Sequence, residues 1–148
     1  MSDRLTKGTK YLLDFMFYTG IIVTVAVPLI FKFYSKYNSR FTEFYWQMVL
    51  VYLLSGILGV LIIRELRKIF ATVLRNDCFV QQNVTCLVKM GNYSLAIVLV
   101  TFSRLFFYFT PTVFIIILTF TVAGLFSKVL SGVFDKAVSY KLENDLTI

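Results

Sequence analysis

The chain has 148 residues, enough for one domain, and 58% of them are hydrophobic while only 16% are charged. A water-soluble domain carries roughly 25% charged residues, so this chain lacks the polar surface a soluble fold needs, and its net charge of +7 has to be read against a membrane rather than as a sign of direct nucleic-acid binding. Histidine is absent, and the two cysteines, Cys78 and Cys86, have no spacing that suggests a zinc site or a disulfide framework.

Four apolar stretches, residues 11–31, 44–63, 93–109 and 111–127, approach or meet the roughly 20 residues that a helix needs to cross about 30 Å of hydrocarbon. The fold class is therefore an all-α membrane protein, one domain over residues 1–148 with four transmembrane helices. The first stretch resembles a signal peptide, since Arg4, Lys7 and Lys10 precede it and Thr24-Val25-Ala26 is a weak cleavage motif. Its apolar run continues through Val27, Leu29, Ile30 and Phe31, which favours a retained span. Pro28 within it removes a backbone donor and predicts a kink.

Positive residues decide orientation. The N-terminus (Arg4, Lys7, Lys10), the loop 64–92 (Arg64, Arg67, Lys68, Arg75, Lys89) and the C-terminal segment 128–148 (Lys128, Lys136, Lys141) together hold eleven. The first loop holds only Lys32, Lys36 and Arg40, and the turn at Thr110-Pro111-Thr112 is uncharged. Both termini are therefore expected in the cytoplasm and the protein in the cytoplasmic membrane. Aromatic residues, among them Phe33, Tyr34, Tyr37, Phe41, Phe44, Tyr45, Trp46, Phe106, Phe107, Tyr108 and Phe109, mark the outer boundary, where amphipathic rings settle at headgroup level.

Helical pattern continues past the second span to residue 74, a length of roughly 46 Å, so part of it stands in the cytoplasm. That part is amphipathic, with Leu66, Ile69, Phe70, Val73 and Leu74 on one stripe. A matching stripe, Leu130, Val133, Phe134, Ala137 and Val138, follows the fourth span, and Val84, Leu87 and Val88 lead into the third after a turn at Asn76-Asp77. These stripes predict a cytoplasmic stub of helical extensions. Small residues four apart, Ser55 and Gly59, then Ala123, Ser127 and Ser131, would let helices approach closely, as in a homodimer.

Two charges, Asp14 and Arg104, fall inside apolar stretches, where ionisable residues are functional candidates. Their depths, about 5 Å from the inner boundary and about 9 Å from the outer one, keep them apart. Lys10 is the expected neighbour of Asp14, four residues back on one helix face, and Arg104 is expected to snorkel outward, with an anionic lipid or ligand as its functional alternative.

The segment Arg75-Asn76-Asp77-Cys78-Phe79-Val80-Gln81-Gln82-Asn83-Val84, Gly91, and the ending Glu143-Asn144-Asp145-Leu146-Thr147-Ile148 resemble a family of small bacterial four-helix membrane proteins classed as a domain of unknown function, often encoded beside a helix-turn-helix regulator. The sequence departs from that family at Cys78, where proline is expected, and at Val80, where serine or threonine would cap the next helix. The resemblance implies a membrane protein that docks or sequesters a cytoplasmic helix-turn-helix regulator. Arg67, Lys68, Arg75, Asp77, Phe79, Asn83, Glu143, Asn144 and Asp145 are the docking candidates, with Phe79 as apolar anchor and the charges setting orientation. Anionic lipid competes for the same basic residues. The alternative is a small oligomeric transporter or channel subunit with Asp14 and Arg104 along its path. No catalytic, metal or cofactor constellation is present in the sequence, so an enzyme is the least favoured reading.

Overall fold

A computed structural model describes residues 3–37, 43–106 and 109–147. Arg40, Phe41, Phe107, Tyr108 and Ile148, used above, lie outside them. Four helices follow in order: α1 (Asp3–Tyr34), α2 (Tyr45–Leu74), α3 (Gln81–Arg104) and α4 (Pro111–Thr147). Each is long and apolar enough to cross a membrane, and the chain is a multi-pass membrane protein. At about 1.5 Å per residue, the 37 residues of α4 extend about 55 Å, some 25 Å more than the hydrocarbon is thick.

Local chemistry sets the helix ends. Pro111 opens α4 at the position where a missing N–H costs nothing. The end of α2 is a Schellman motif: Asn76 takes a positive φ of 57°, its N–H donates to Val73 O, and the Asp77 N–H donates to Thr72 O, each at 3.1 Å. Asparagine is one of the few non-glycine residues that tolerate this conformation. Helix α3 then starts after Val80, which is extended and supplies no side-chain cap, as the missing hydroxyl predicted.

Each helix packs against its chain neighbour, α1 on α2, α2 on α3 and α3 on α4, and no other pairing among the described residues is as extensive. The arrangement is a row of alternating direction rather than a closed ring, with α3 the most enclosed helix. The N-terminal end of α1, the C-terminal end of α2, the start of α3 and the end of α4 gather the basic residues at one end, called here the basic end. At the other end rings cluster: Phe31 on Tyr52 at 4.9 Å between centroids, Tyr45 on Trp46 at 5.4 Å, Phe109 on Phe114 at 5.6 Å.

The core of the basic end joins Ile69, Cys86, Leu87 and Met90 with Ile62, Leu66, Val73, Leu130 and Phe134. The amphipathic stripes thus pack on one another, Val84 and Val138 included, whereas Val88 and Val133 stay exposed. Outside the hydrocarbon, each such large side chain contributes about 1.5–3 kcal/mol through removal from water; inside it, close packing has to hold the helices together. Two helix backbones approach closely at Gly91 and Gly124: a Cβ on Gly91 would lie 3.0 Å from the Gly124 carbonyl oxygen and 2.7 Å from Lys128 Cγ. Within the chain, Gly59 makes no such approach, with nothing within 4 Å of an added Cβ, and Ala123 is exposed.

Two boundaries also shift. The third span and its lead-in form one helix that ends at Arg104, five residues before the apolar run does. At the C-terminal segment, helix α4 continues unbroken through Thr147.

Candidate functional site

At the basic end, the α2–α3 turn is pinned from two sides. Asn83, fully buried, donates from Nδ2 to Thr72 Oγ1 at 2.7 Å and to the Cys78 carbonyl at 2.6 Å, tying the start of α3 to α2 and to the turn. From the other side, Lys141 of α4 pairs with Asp77 at 2.5 Å, and that carboxylate raises the lysine above its ordinary range. The pair is exposed and, by the behaviour of surface ion pairs, fixes geometry more than it stabilises.

Phe79 stands on this turn, 44% exposed, with one edge against Phe134 at 5.3 Å between centroids. Arg75 and Asp77 flank it in sequence, both exposed. Glu143 and Asp145 are exposed on the last turns of α4, and the Asp145 charge acts on Lys141, so turn and helix end form one surface. Asn144 is exposed as well.

Three docking candidates point elsewhere. Asn83 is interior. Lys68 lies 3.4 Å from Glu65, whose side chain is 3% exposed, and so screens a buried carboxylate. Arg67 donates from Nε to Asp14 Oδ1 at 2.7 Å, and its guanidinium stacks on Phe17 at 4.5 Å and Tyr18 at 5.6 Å. Asp14 therefore pairs with Arg67 across helices and not with Lys10, which is exposed. Spacing along α1 could show only the neighbour on the same helix; the stronger partner comes from a segment 53 residues away. A half-buried bidentate-capable arginine, held between an aspartate and two rings, clamps α1 to α2.

Arg104 departs from expectation too. It is 7% exposed rather than turned out to the surface, and it lies in the last turn of α3, where the helix dipole favours a cation. Its guanidinium carbon is 5.0 Å from the Tyr52 ring centroid. Beside it, a cavity of about 210 Å³ opens between α2, α3 and α4, bounded by Tyr52, Ser55, Gly59, Ile97 and Phe120 as well as Arg104. Arg67 and Tyr52 are 15 residues apart on α2, about 22 Å, so Asp14 and Arg104 are held at opposite ends and not brought together.

Reading by sequence missed Glu65, Thr72, Lys141 and Tyr52. Glu65 alone carried a usable signal, as the only acid in α2; the others are ordinary residues until the fold gives them partners. Among the described residues, no three His, Cys, Asp or Glu side chains gather closely enough to hold a metal ion.

No curated protein and no solved structure matches the chain. A family model does match, over residues 29–148, and its description is "Protein of unknown function (DUF2975)". Of the candidate residues, only Asp14 falls outside that stretch, and the chain belongs to this family.

Proposed function

We propose that the protein is a regulatory membrane protein, with both termini and its basic end in the bacterial cytoplasm, that docks or sequesters a soluble helix-turn-helix transcription regulator. The observation that carries this reading is the surface around Phe79: an aromatic ring exposed beyond the apolar spans, on a turn braced by Asn83 and by the Asp77–Lys141 pair. Arg75 stands four residues before Phe79, and α4, which meets it through Phe134, exposes Glu143 and Asp145 as well as Leu142 and Leu146 on its last turns. An exposed apolar group on a braced turn, with exposed charges on the same turn and on the helix it packs against, has the anatomy of a docking site. The class of partner comes from the family resemblance, and the orientation from the eleven basic residues at this end.

The test is a mild-detergent pull-down of the intact protein, identification of any soluble partner, and capture measured on variants. A helix-turn-helix protein should be captured. Phe79→Ala should weaken its capture by roughly 2 kcal/mol, about thirtyfold, per folded molecule, and deletion of residues 143–148 should weaken it further with little change in melting temperature. Recovery of the protein's own copies alone would sink the reading, as would a Phe79→Ala variant that loses stability while capture per folded molecule stays the same. Cysteine labelling from outside should reach position 37 and not position 77.

A further inference from the structure

We propose that the groove between α1 and α2 holds one anionic phospholipid, its phosphate against Lys32 and Trp46 at the aromatic end and one acyl chain running inward to Ile21 and Ile57. Two cavities on one face of this helix pair carry the inference. The outer one, about 450 Å³, is lined by Lys32 and Ser35 at the end of α1 and by Tyr45 and Trp46 at the start of α2. The inner one, about 220 Å³, is lined by Ile21, Thr24 and Val25 of α1 and by Ile57, Val60 and Leu61 of α2. Eleven residues separate Ile21 from Lys32, and eleven separate Trp46 from Ile57; that is three helical turns, so each pair points within about 20° of one direction and lies about 16 Å apart. The two cavities are therefore the ends of one groove, and its length is close to the depth of one leaflet's hydrocarbon, half of about 30 Å. The cavity beside Arg104 opens on the opposite face of α2, the face of Ser55 and Gly59.

The outer cavity has what a phosphate needs. Lys32 and Trp46 are exposed, Trp46 by 79%, and among the described residues neither the Lys32 ammonium nor the Trp46 indole N–H has an ion-pair or hydrogen-bond partner. A lysine at the end of an apolar helix lays its stem along the helix and keeps its ammonium at headgroup level, where it binds phosphate as a point charge. The indole N–H adds a donor at the same level. The walls are fixed: the Tyr45 hydroxyl donates to the Pro28 carbonyl at 2.9 Å, tying the start of α2 to α1 one turn before Lys32, and the Ser35 hydroxyl donates to the Lys32 carbonyl at 2.8 Å. Deeper in the membrane, Gly56 lets the two helices meet under the groove, since an added Cβ there would lie 2.7 Å from Thr24 Oγ1, while Val25 and Ile57 stand exposed beside this contact. An exposed cation at the membrane boundary above an apolar groove leading to the midplane matches a molecule with an anionic head and a hydrocarbon tail in its natural orientation in a leaflet. The site depends neither on which end faces the cytoplasm nor on a protein partner.

Trp46 is the only tryptophan of the chain, so its fluorescence reports on this site alone, and bromine on a lipid chain quenches it only at contact. The full chain is reconstituted in vesicles of dioleoylphosphatidylcholine with a minority of dioleoylphosphatidylglycerol, the bromine carried by one lipid or the other. In the wild type the anionic lipid should be bound beside Trp46 about tenfold over the zwitterionic one, the scale of a charge-assisted contact. Lys32→Gln should abolish that preference and Lys32→Arg should keep it. Anionic lipid drawn to the basic end lies too far from Trp46 to quench it, so Lys10→Gln should change nothing. Native mass spectrometry in mild detergent then reads the chain: the wild type and Lys10→Gln should retain one phosphatidylglycerol, and Val25→Phe, which fills the inner cavity from an exposed position, should lose it with the melting temperature unchanged. Equal quenching by the two lipids in the wild type would overturn the proposal, as would a preference that survives Lys32→Gln or retention unchanged by Val25→Phe. Loss of the preference on adding soluble glycerol phosphate would overturn it in favour of a free phosphate, and displacement by an equal amount of oleate in favour of a free fatty acid.

Discussion

Replacing Asn83 by alanine removes two hydrogen bonds from a side chain with no exposure at all. Each is worth about 0.5–1.5 kcal/mol net, and a buried acceptor left without a donor costs about 1–3 kcal/mol. The Thr72 hydroxyl keeps its own bond to the Ile69 carbonyl at 2.6 Å, and the Cys78 carbonyl is only part-buried and can recover water. The sum is therefore about 2 kcal/mol, not the extreme of the range, and it falls on the opening of the α2–α3 turn. The two native cysteines report this opening directly, because Cys78 on the turn is half-buried and Cys86, one helical turn into α3, is buried. In the wild type a maleimide should label Cys78 quickly and Cys86 slowly. In Asn83→Ala the protection of Cys86 should fall about thirtyfold, the factor that corresponds to 2 kcal/mol when opening is rapid, and the melting temperature in detergent should drop. Asn83→Asp should be worse, since a carboxylate cannot donate to the Cys78 carbonyl. Capture of a soluble partner, per folded molecule, should be unaffected. If Asn83→Ala melts with the wild type and Cys86 stays protected, the bracing role assigned to this residue is wrong.

The Asp14–Arg67 clamp can be tested by a double-mutant cycle: Asp14→Asn and Arg67→Gln should each destabilise by about 1–3 kcal/mol and couple by more than about 1 kcal/mol, whereas Lys10→Ala should be silent. Additive effects of the pair, or a large effect of Lys10, would refute the cross-helix assignment. At the Schellman turn, Asn76→Gly should be tolerated and Asn76→Val should cost about 1–2 kcal/mol, read from thermal unfolding, because a branched side chain resists a positive φ; equal stability of the two variants would count against the turn.

Much of this was legible because membranes impose simple rules. Residues 44–63 and 111–127 could hardly be anything except spans, and the stripes Leu66-Ile69-Val73 and Leu130-Phe134-Val138 announced helices longer than the bilayer. Asn76-Asp77 gave the turn, and Val80 the uncapped start of α3. The join between the third span and its lead-in was obscured by Lys89, Gly91 and Asn92, which look like an interruption. In the fold, Gly91 lies against Gly124, while Lys89 and Asn92 are exposed, so one helix accommodates all three. The candidate docking residues divided on the same principle. Phe79, Arg75, Asp77 and the end of α4 were exposed as read, while Arg67 and Asn83 were drawn inward by partners far away in sequence.

The sequence by itself determined the four helices, the asymmetry of charge between their ends and the amphipathic extension at the basic end, because span length, charge placement and periodicity are properties of a chain in a bilayer whatever it packs against. Only the tertiary structure decided that the helices form a row, that Asp14 meets Arg67, that Asn83 ties the turn together and that Arg104 faces a cavity beside Tyr52. The reason is that an apolar face looks the same whether lipid or another helix covers it, and a polar side chain looks the same whether its partner is water or a group brought to within 3 Å by segments dozens of residues apart.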